Sequence, residues 1–525
     1  MRKRSVTGGL LALIALCGFA GTGAFADEAP LADAVKAGEQ GSIDALLAHG
    51  AAVNAAQPDG STALHWAAYR NDTGLVKALL ARGAKADVRN SFGATPLGEA
   101  AKIANADIVR MLLAAGANAE SANAEGETAL MLAARTGSVP VGKLLLARGA
   151  NVNAREAFRG QTALMWAAGN DRPEMVDLLL AHKAKPDVRA AFNDWGAQIT
   201  SEPRAQYRPT GGLTALMYAG RSGCVGCIES LLKHGADVNL PNPDGVTALM
   251  IAIDNLHYDA ARFLLEHGAN PHVWDWYGRT ALYVAVDMHS YPNSRAAFNG
   301  PLVQVDIRDR TSAIDLIKLL LAAGVDPNPQ LRMHRPGRGG NSARFVENLL
   351  HTGATPLLRA AVAQDPEAIQ VLLAHGALVD LPNIAGITPL MAAAGIGIST
   401  NDPRPLFDGD MQGRAIATLD ALLRGGADVN AKIVVTSNHN ARNARATTVA
   451  NRDGQTALYG PVEWAWPRVT KFLLEHGARV DVKDANGRGP LEVLPKDRAG
   501  RNAGADAEVA ALLQAPGAPK SEPSR

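Results

Sequence analysis

Two cysteines, Cys224 and Cys227, stand two residues apart, and the only other cysteine is Cys17 near the start of the chain. A Cys-X-X-Cys pair beside a helix N-terminus can serve as a thiol–disulfide redox centre, because that position lowers a thiol's pKa. It can equally be a structural disulfide, and both readings stay open. No alternation of strands and helices of the thioredoxin kind surrounds the motif, and a clip explains it more simply. Covalent haem attachment is excluded, since Ile228 occupies the place that would need histidine.

Other chemistry is sparse. The chain has no His-Glu-X-X-His zinc pattern, no phosphate loop and no Gly-X-Ser-X-Gly nucleophile turn. His49, His182, His234, His267, His375 and His476 recur near the ends of predicted helices, where a histidine favours the helix C-terminus. Recurrence at one repeat position spaces them apart instead of gathering them around a metal. The residues therefore predict no catalytic group, no cofactor and no metal.

The elements that carry these residues come from a repeat. Thr62, Thr95, Thr128, Thr162, Thr214, Thr247, Thr280, Thr355, Thr388 and Thr456 each precede Ala-Leu or Pro-Leu, at steps of 33, 33, 34, 52, 33, 33, 75, 33 and 68 residues. With Pro30-Leu31 before and Pro490-Leu491 after, twelve units are expected. In the unit from Asp59, threonine caps a helix over Thr62 to about Asn71, and proline, where present, suits the first helical position. Leu75, Leu79 and Leu80 share a face of a second helix that stops at Gly83, and an Ala-Asp-Val-Asn-like strand and a turn lead to the next threonine. Ala67-Ala68, Ala133-Ala134 and Ala167-Ala168 let neighbouring first helices approach. One unit cannot bury this face alone, so stacking stabilises it.

These units resemble ankyrin repeats from Pro30 to Leu513. The family's Thr-Pro/Ala-Leu-His pattern is complete only at His65; Met131, Met165, Met217, Met250 or Met391 replaces the histidine elsewhere and is expected to fill core space. Trp66 and Trp166 resemble the family's core leucine and are assigned to packing. The resemblance implies an all-α ankyrin-repeat solenoid with β-hairpin loops, and protein binding without catalysis.

Departures from the pattern mark where recognition is expected. Three hairpins are lengthened, at about 189–211, 329–354 and 431–453, and two insertions fall between paired helices, at about 288–311 and 396–414. The three long hairpins carry net charges of +1, +3 and +3. With the basic leader removed the chain carries −2, so the remainder carries −9, and basic loops are segregated from an acidic body. Arg332, Arg335, Arg338, Arg344, Arg442 and Arg445 are candidates to meet an acidic protein surface; simple solvation of the loops is the alternative. Trp274, Trp276 and Tyr277 are expected near an exposed hairpin tip, unless a long loop covers them. Tyr69 and Arg70, ending the first helix of the second repeat, complete the candidate set.

Arg2, Lys3 and Arg4, the apolar run Leu10 to Phe19 and Ala24-Phe25-Ala26 have the form of a secretory signal cleaved near Ala26-Asp27, which points to the periplasm or the exterior. No later segment approaches the length of a membrane span. The near-neutral balance gives no footprint for nucleic acid. A disordered tail is expected from Gln514 onward. Besides a periplasmic protein scaffold, a redox protein using Cys224 and Cys227 and a binder of anionic envelope polymer remain possible functions.

Overall fold

Whereas the helix after Thr456 is capped at Leu458, each repeat threonine from Thr62 to Thr388 opens a helix by the same local device. In extended conformation, its hydroxyl oxygen accepts the amide three residues on, as Thr95 does from Gly98 at 3.1 Å and Thr355 from Leu358 at 3.1 Å. Thr62 differs, because its backbone amide and hydroxyl both meet His65 Nδ1, at 3.1 and 2.9 Å. The His65 ring then reaches Ala94 O of the next unit at 3.1 Å through Nε2.

The computed structural model describes residues 29–193, 210–290, 309–332, 349–397, 410–434, 452–494 and 503–520. The chain divides into two compact units, 1–118 and 119–525. The first pairs α1 (Pro30–Ala37) with α2 (Gln40–Ala48), α3 (Ala63–Tyr69) with α4 (Thr73–Ala81), and α5 (Pro96–Ile103) with α6 (Ala106–Ala114). The second pairs α7 (Ala129–Thr136) with α8 (Val139–Ala147), α9 (Ala163–Gly169) with α10 (Pro173–Ala181), α11 (Ala215–Ser222) with α12 (Val225–Lys233), and α13 (Ala248–Asp254) with α14 (Tyr258–Glu266). It continues with α15 (Ala281–His289) and α16 (Ala313–Ala322), α17 (Pro356–Val362) and α18 (Pro366–Ala374), α19 (Pro389–Ala393) and α20 (Met411–Arg424), and α21 (Tyr459–Glu463) and α22 (Pro467–Glu475). A 3-10 turn, Pro490–Val493, and α23 (Ala503–Gln514) form the last repeat.

Within the second unit, first helices stack on first helices from α7 through α19, and second helices on second helices from α8 through α22. The alanine pairs at 133–134 and 167–168 are fully buried in the first of these layers, and Met131, Met165, Met217, Met250 and Met391 are buried beside them. Leu145, Leu179, Leu231, Leu264, Leu320 and Leu372 fill the second layer. In the first unit Leu75, Val76 and Leu79 are buried from α4 and Leu80 is half-buried. Its partner α3 ends at Tyr69, and Asn71 turns the chain with φ 61°; Gly83, with φ 82°, follows α4.

The strand expected before each threonine is a turn instead. Among the described residues, strands occur only at the base of the first long hairpin, where β1 (Phe192–Asn193) and β2 (Thr210–Gly211) pair antiparallel. Elsewhere a side chain satisfies the turn's amides locally. Asn90 Oδ1 accepts from Phe92 and Ala94, Asn242 Oδ1 from Asp244 and Val246, Asp275 Oδ1 from Tyr277 and Arg279, and Asn383 Oδ1 from Ala385 and Ile387. With these donors taken, little remains for a ladder beyond the isolated bridges at Ala56–Thr62, Ala122–Thr128 and Trp274–Thr280.

In the eleventh repeat the first helix starts only at Tyr459, and Pro461 lies in its first turn, where it needs no amide partner. Any side chain at Gly460 would collide with Ala394 O, so glycine is what lets α21 seat there. The tail expected from Gln514 is tied down as far as residue 520: Val480 donates its amide to Pro519 O at 3.0 Å. The signal segment lies outside the described residues.

Candidate interaction surface

Hairpin turns of successive repeats are joined by backbone hydrogen bonds. In the second unit Ala157 N donates to Glu125 O (2.8 Å), Ala191 N to Arg159 O (2.6 Å), Trp276 N to Asp244 O (2.7 Å), Arg332 N to Tyr277 O (2.9 Å), Ile384 N to Thr352 O (3.0 Å) and Ala485 N to Asp453 O (2.8 Å). The tips thus hold one another at fixed spacing. Apolar side chains project from them: Phe158 is 79% exposed, and Phe192, Ile384 and Val434 are also exposed.

Trp274 and Trp276 stand on this edge, 48% and 36% exposed. The Arg332 guanidinium lies 3.5 Å from the centre of the Trp274 ring, a cation–π stack that fixes the ring while leaving it accessible. Tyr277 does not join them. Its ring is only 4% exposed, because the segment entering the second long hairpin pairs with its carbonyl through Arg332 and Arg279 stacks 5.7 Å from its centre. Arg335, Arg338, Arg344, Arg442 and Arg445 lie outside the described residues. Arg452, at the end of the third long hairpin, is only 12% exposed and forks onto Glu463 at 2.8 and 3.1 Å, so its charge is neutralised internally.

In the first unit Tyr69 is 53% exposed and meets the Trp66 ring edge-on at 5.9 Å. Arg70 is exposed but engaged: its Nη1 donates to Lys36 O at 3.3 Å and the guanidinium lies over Gly38. Trp66 and Trp166, assigned to packing, are half-buried. Lys36 sits over Trp66 at 4.8 Å and Arg135 over Trp166 at 5.3 Å. Trp66 also donates Nε1–H to Gln57 at 2.8 Å. The fourth residue after each threonine therefore lies at the margin between repeats, where an indole can cover alanines and still meet a cation. Tyr218, at the same position, accepts from Gln161. The recurrence of that position was the signal that marks these residues.

Sequence reasoning also missed a buried charged cluster. Arg359 on α17 and Asp287 on α15 are 1% and 0% exposed and pair at 2.6 Å. Arg279 binds Asp275 at 2.7 Å and faces Asp254 at 3.8 Å. Burial alone would lower Arg279, but Asp275, Asp254 and Asp287 outweigh it and hold the guanidinium charged more firmly than usual. His289 Nδ1 meets Asp365 at 2.6 Å, and Ser290 donates to the same carboxylate oxygen at 2.8 Å. The Asp365 hydrogen bond raises the His289 pKa against the opposing effect of burial. For Asp365, burial would raise the pKa, but His289, the Ala368 amide and Ser290 together lower it. Asp254, Asp287, His289 and Arg359 occupy ordinary helix positions and the others lie in a turn or at helix caps, so only their partners across the stack reveal the cluster.

The recurrent histidines cap helix ends. Nδ1 of His49, His182, His234, His267, His375 and His476 lies 2.7, 2.9, 2.8, 2.7, 2.7 and 2.8 Å from the carbonyl four residues earlier.

A family model of ankyrin repeats, three copies, matches overlapping stretches that run from residue 13 to residue 296, more than half of the chain. The chain belongs to the ankyrin-repeat family. Among solved structures, the human ASB11 ankyrin repeat domain is similar, at 26% identity and a TM-score of 0.38, covering 46% of this chain and 100% of that one. Among curated proteins no match is found. Ankyrin repeats generally mediate protein–protein interaction, and the family is typically a non-catalytic scaffold. No described helix of this member is long and apolar enough to cross a membrane.

Cys224 and Cys227 are joined by a disulfide and are 3% and 0% exposed. Cys224 is the N-cap of α12, where its sulfur accepts the Cys227 amide at 3.0 Å. Among the described residues, one trio of metal-ligating side chains has its donor atoms within 4.8 Å of one another: these two cysteines and Asp171.

Proposed function

We propose that the protein is an exported, periplasmic, non-catalytic scaffold that binds another protein through the hairpin edge and first-helix face of its second unit. The observation that carries this reading is the Arg332–Trp274 stack, beside Trp276, on a row of turns linked by backbone hydrogen bonds. Exposed indoles and an arginine on a rigid support combine large contact area with little entropy lost on binding. The basic character of the long hairpins favours a partner with an acidic surface.

Capture from periplasmic extract with the mature chain and with a Trp274→Ala, Trp276→Ala, Arg332→Ala variant tests the site. A protein retained by the first and lost by the second is expected. Identical capture by both removes the hairpin edge as the binding surface. An anionic envelope polymer would instead give salt-sensitive retention without an enriched protein. Export itself is checked by N-terminal sequencing of the periplasmic fraction, with Asp27 expected as the first residue.

A further inference from the structure

The disulfide and its neighbour carry an inference independent of partner binding. Asp171 lies in the turn between α9 and α10, with φ 56°, one repeat before the cysteines. Stacking of α10 on α12 brings the two turns together. Gly226, inside the Cys-X-X-Cys motif, allows the approach: a methyl group there would meet Pro173 at 3.2 Å. The Asp171 carboxylate ends within 4.8 Å of both sulfurs and, among the described residues, takes no hydrogen bond or ion pair. It is exposed, whereas both cysteines are buried, so the three donors form a shallow site with one side open to solvent.

We propose that reduction of the Cys224–Cys227 disulfide creates a binding site for a zinc-class divalent cation, held by the two thiolates and the Asp171 carboxylate, with a fourth position open to water. Two sulfurs spaced by two residues can chelate one ion, and the mixed sulfur and oxygen donor set suits Zn²⁺. The chemistry has two steps. A dithiol reductant transfers two electrons and two protons to the disulfide, giving two thiols and its own cyclic disulfide. The cation then replaces the two thiol protons, which leave to solvent, and Asp171 supplies a carboxylate oxygen as the third ligand. The oxidised chain has no thiolates and no site, so metal occupancy reports the redox state of the pair.

Co²⁺ serves as the probe, because thiolate coordination gives it a charge-transfer absorption and tetrahedral ligand-field bands. The full chain is reduced anaerobically with dithiothreitol, freed of reductant by gel filtration and titrated with Co²⁺, with circular dichroism confirming retained helix. One Co²⁺ per chain is expected after reduction and none before. The Cys224→Ala, Cys227→Ala variant, which keeps Cys17, should show no thiolate band. Loss of a group that merely orients a ligand costs roughly ten- to hundredfold in affinity, so Asp171→Ala should weaken Co²⁺ by at least about tenfold. Absence of the band in the reduced wild-type chain overturns the proposal. So does unchanged affinity in Asp171→Ala, which would leave only a bare dithiol chelate, or loss of helix on reduction.

Discussion

Replacing Arg359 by methionine tests whether the buried charges tie the repeats together. Arg359 and Asp287 are 72 residues apart in sequence, on adjacent first helices, and both are almost wholly inaccessible. Methionine keeps much of the volume but leaves the Asp287 charge in a low-dielectric interior without its nearest cation. Breaking such a pair costs about 3–5 kcal/mol. Arg279 still acts on Asp287 through space, so the lower end of that range is expected. Urea unfolding followed by far-ultraviolet circular dichroism would read the change as a lowered midpoint. The companion Asp287→Leu, Arg359→Met variant removes both charges and should recover most of the loss, since apolar replacement of a buried pair is often neutral or stabilising. A cost below about 1 kcal/mol for Arg359→Met would refute the reasoning, as would a double variant no better than the single one, because both follow from desolvation rather than packing.

Other expectations follow from single contacts. The raised pKa of His289 means that its charged form stabilises the fold fully below the usual histidine range, and that this contribution fades as pH rises through the folded-state value. Asp365, with a lowered pKa, contributes above the usual carboxylate range and loses its contribution as pH falls through its folded-state value. Thermal melts across pH should therefore show a drop on the alkaline side that His289→Gln removes; an unchanged profile in that variant would show that the pair does not govern it. Gly353→Ala should destabilise by about 1–3 kcal/mol, because φ is 86° and a Cβ would lie 2.9 Å from Ile384 N; a neutral result in urea melts would contradict the strain. Cys224→Ala, Cys227→Ala should cost only about 2 kcal/mol, since the disulfide closes a very short loop, and complete unfolding by circular dichroism would show a larger role.

The repeat was legible because it depends on local chemistry. From Thr62 to Thr388 the threonine caps a helix in repeat after repeat, and glycine turns the chain after most of the second helices. The alanine and methionine positions followed from the same period, as did the capping histidines. Local rules erred where side chains competed with the backbone. Asn90, Asn242, Asp275 and Asn383 take up the turn amides and remove the strands. At Gly460 and Pro461 the tertiary setting decides, since one permits close approach to Ala394 and the other occupies a helical first turn.

Sequence alone determined the period, the helix pairs, the layers of small and large apolar residues and the placement of Cys224 at a helix start. Each is set within a few residues by hydrogen bonding and side-chain size. Only the stacked structure decided that Tyr277 is covered, that Arg332 lies on Trp274, that Arg359 neutralises Asp287 and that Asp171 faces the disulfide. Those relations join residues from different repeats, and all four span an insertion. No period in the sequence encodes them, because contact across a stack depends on where each repeat comes to rest against the next.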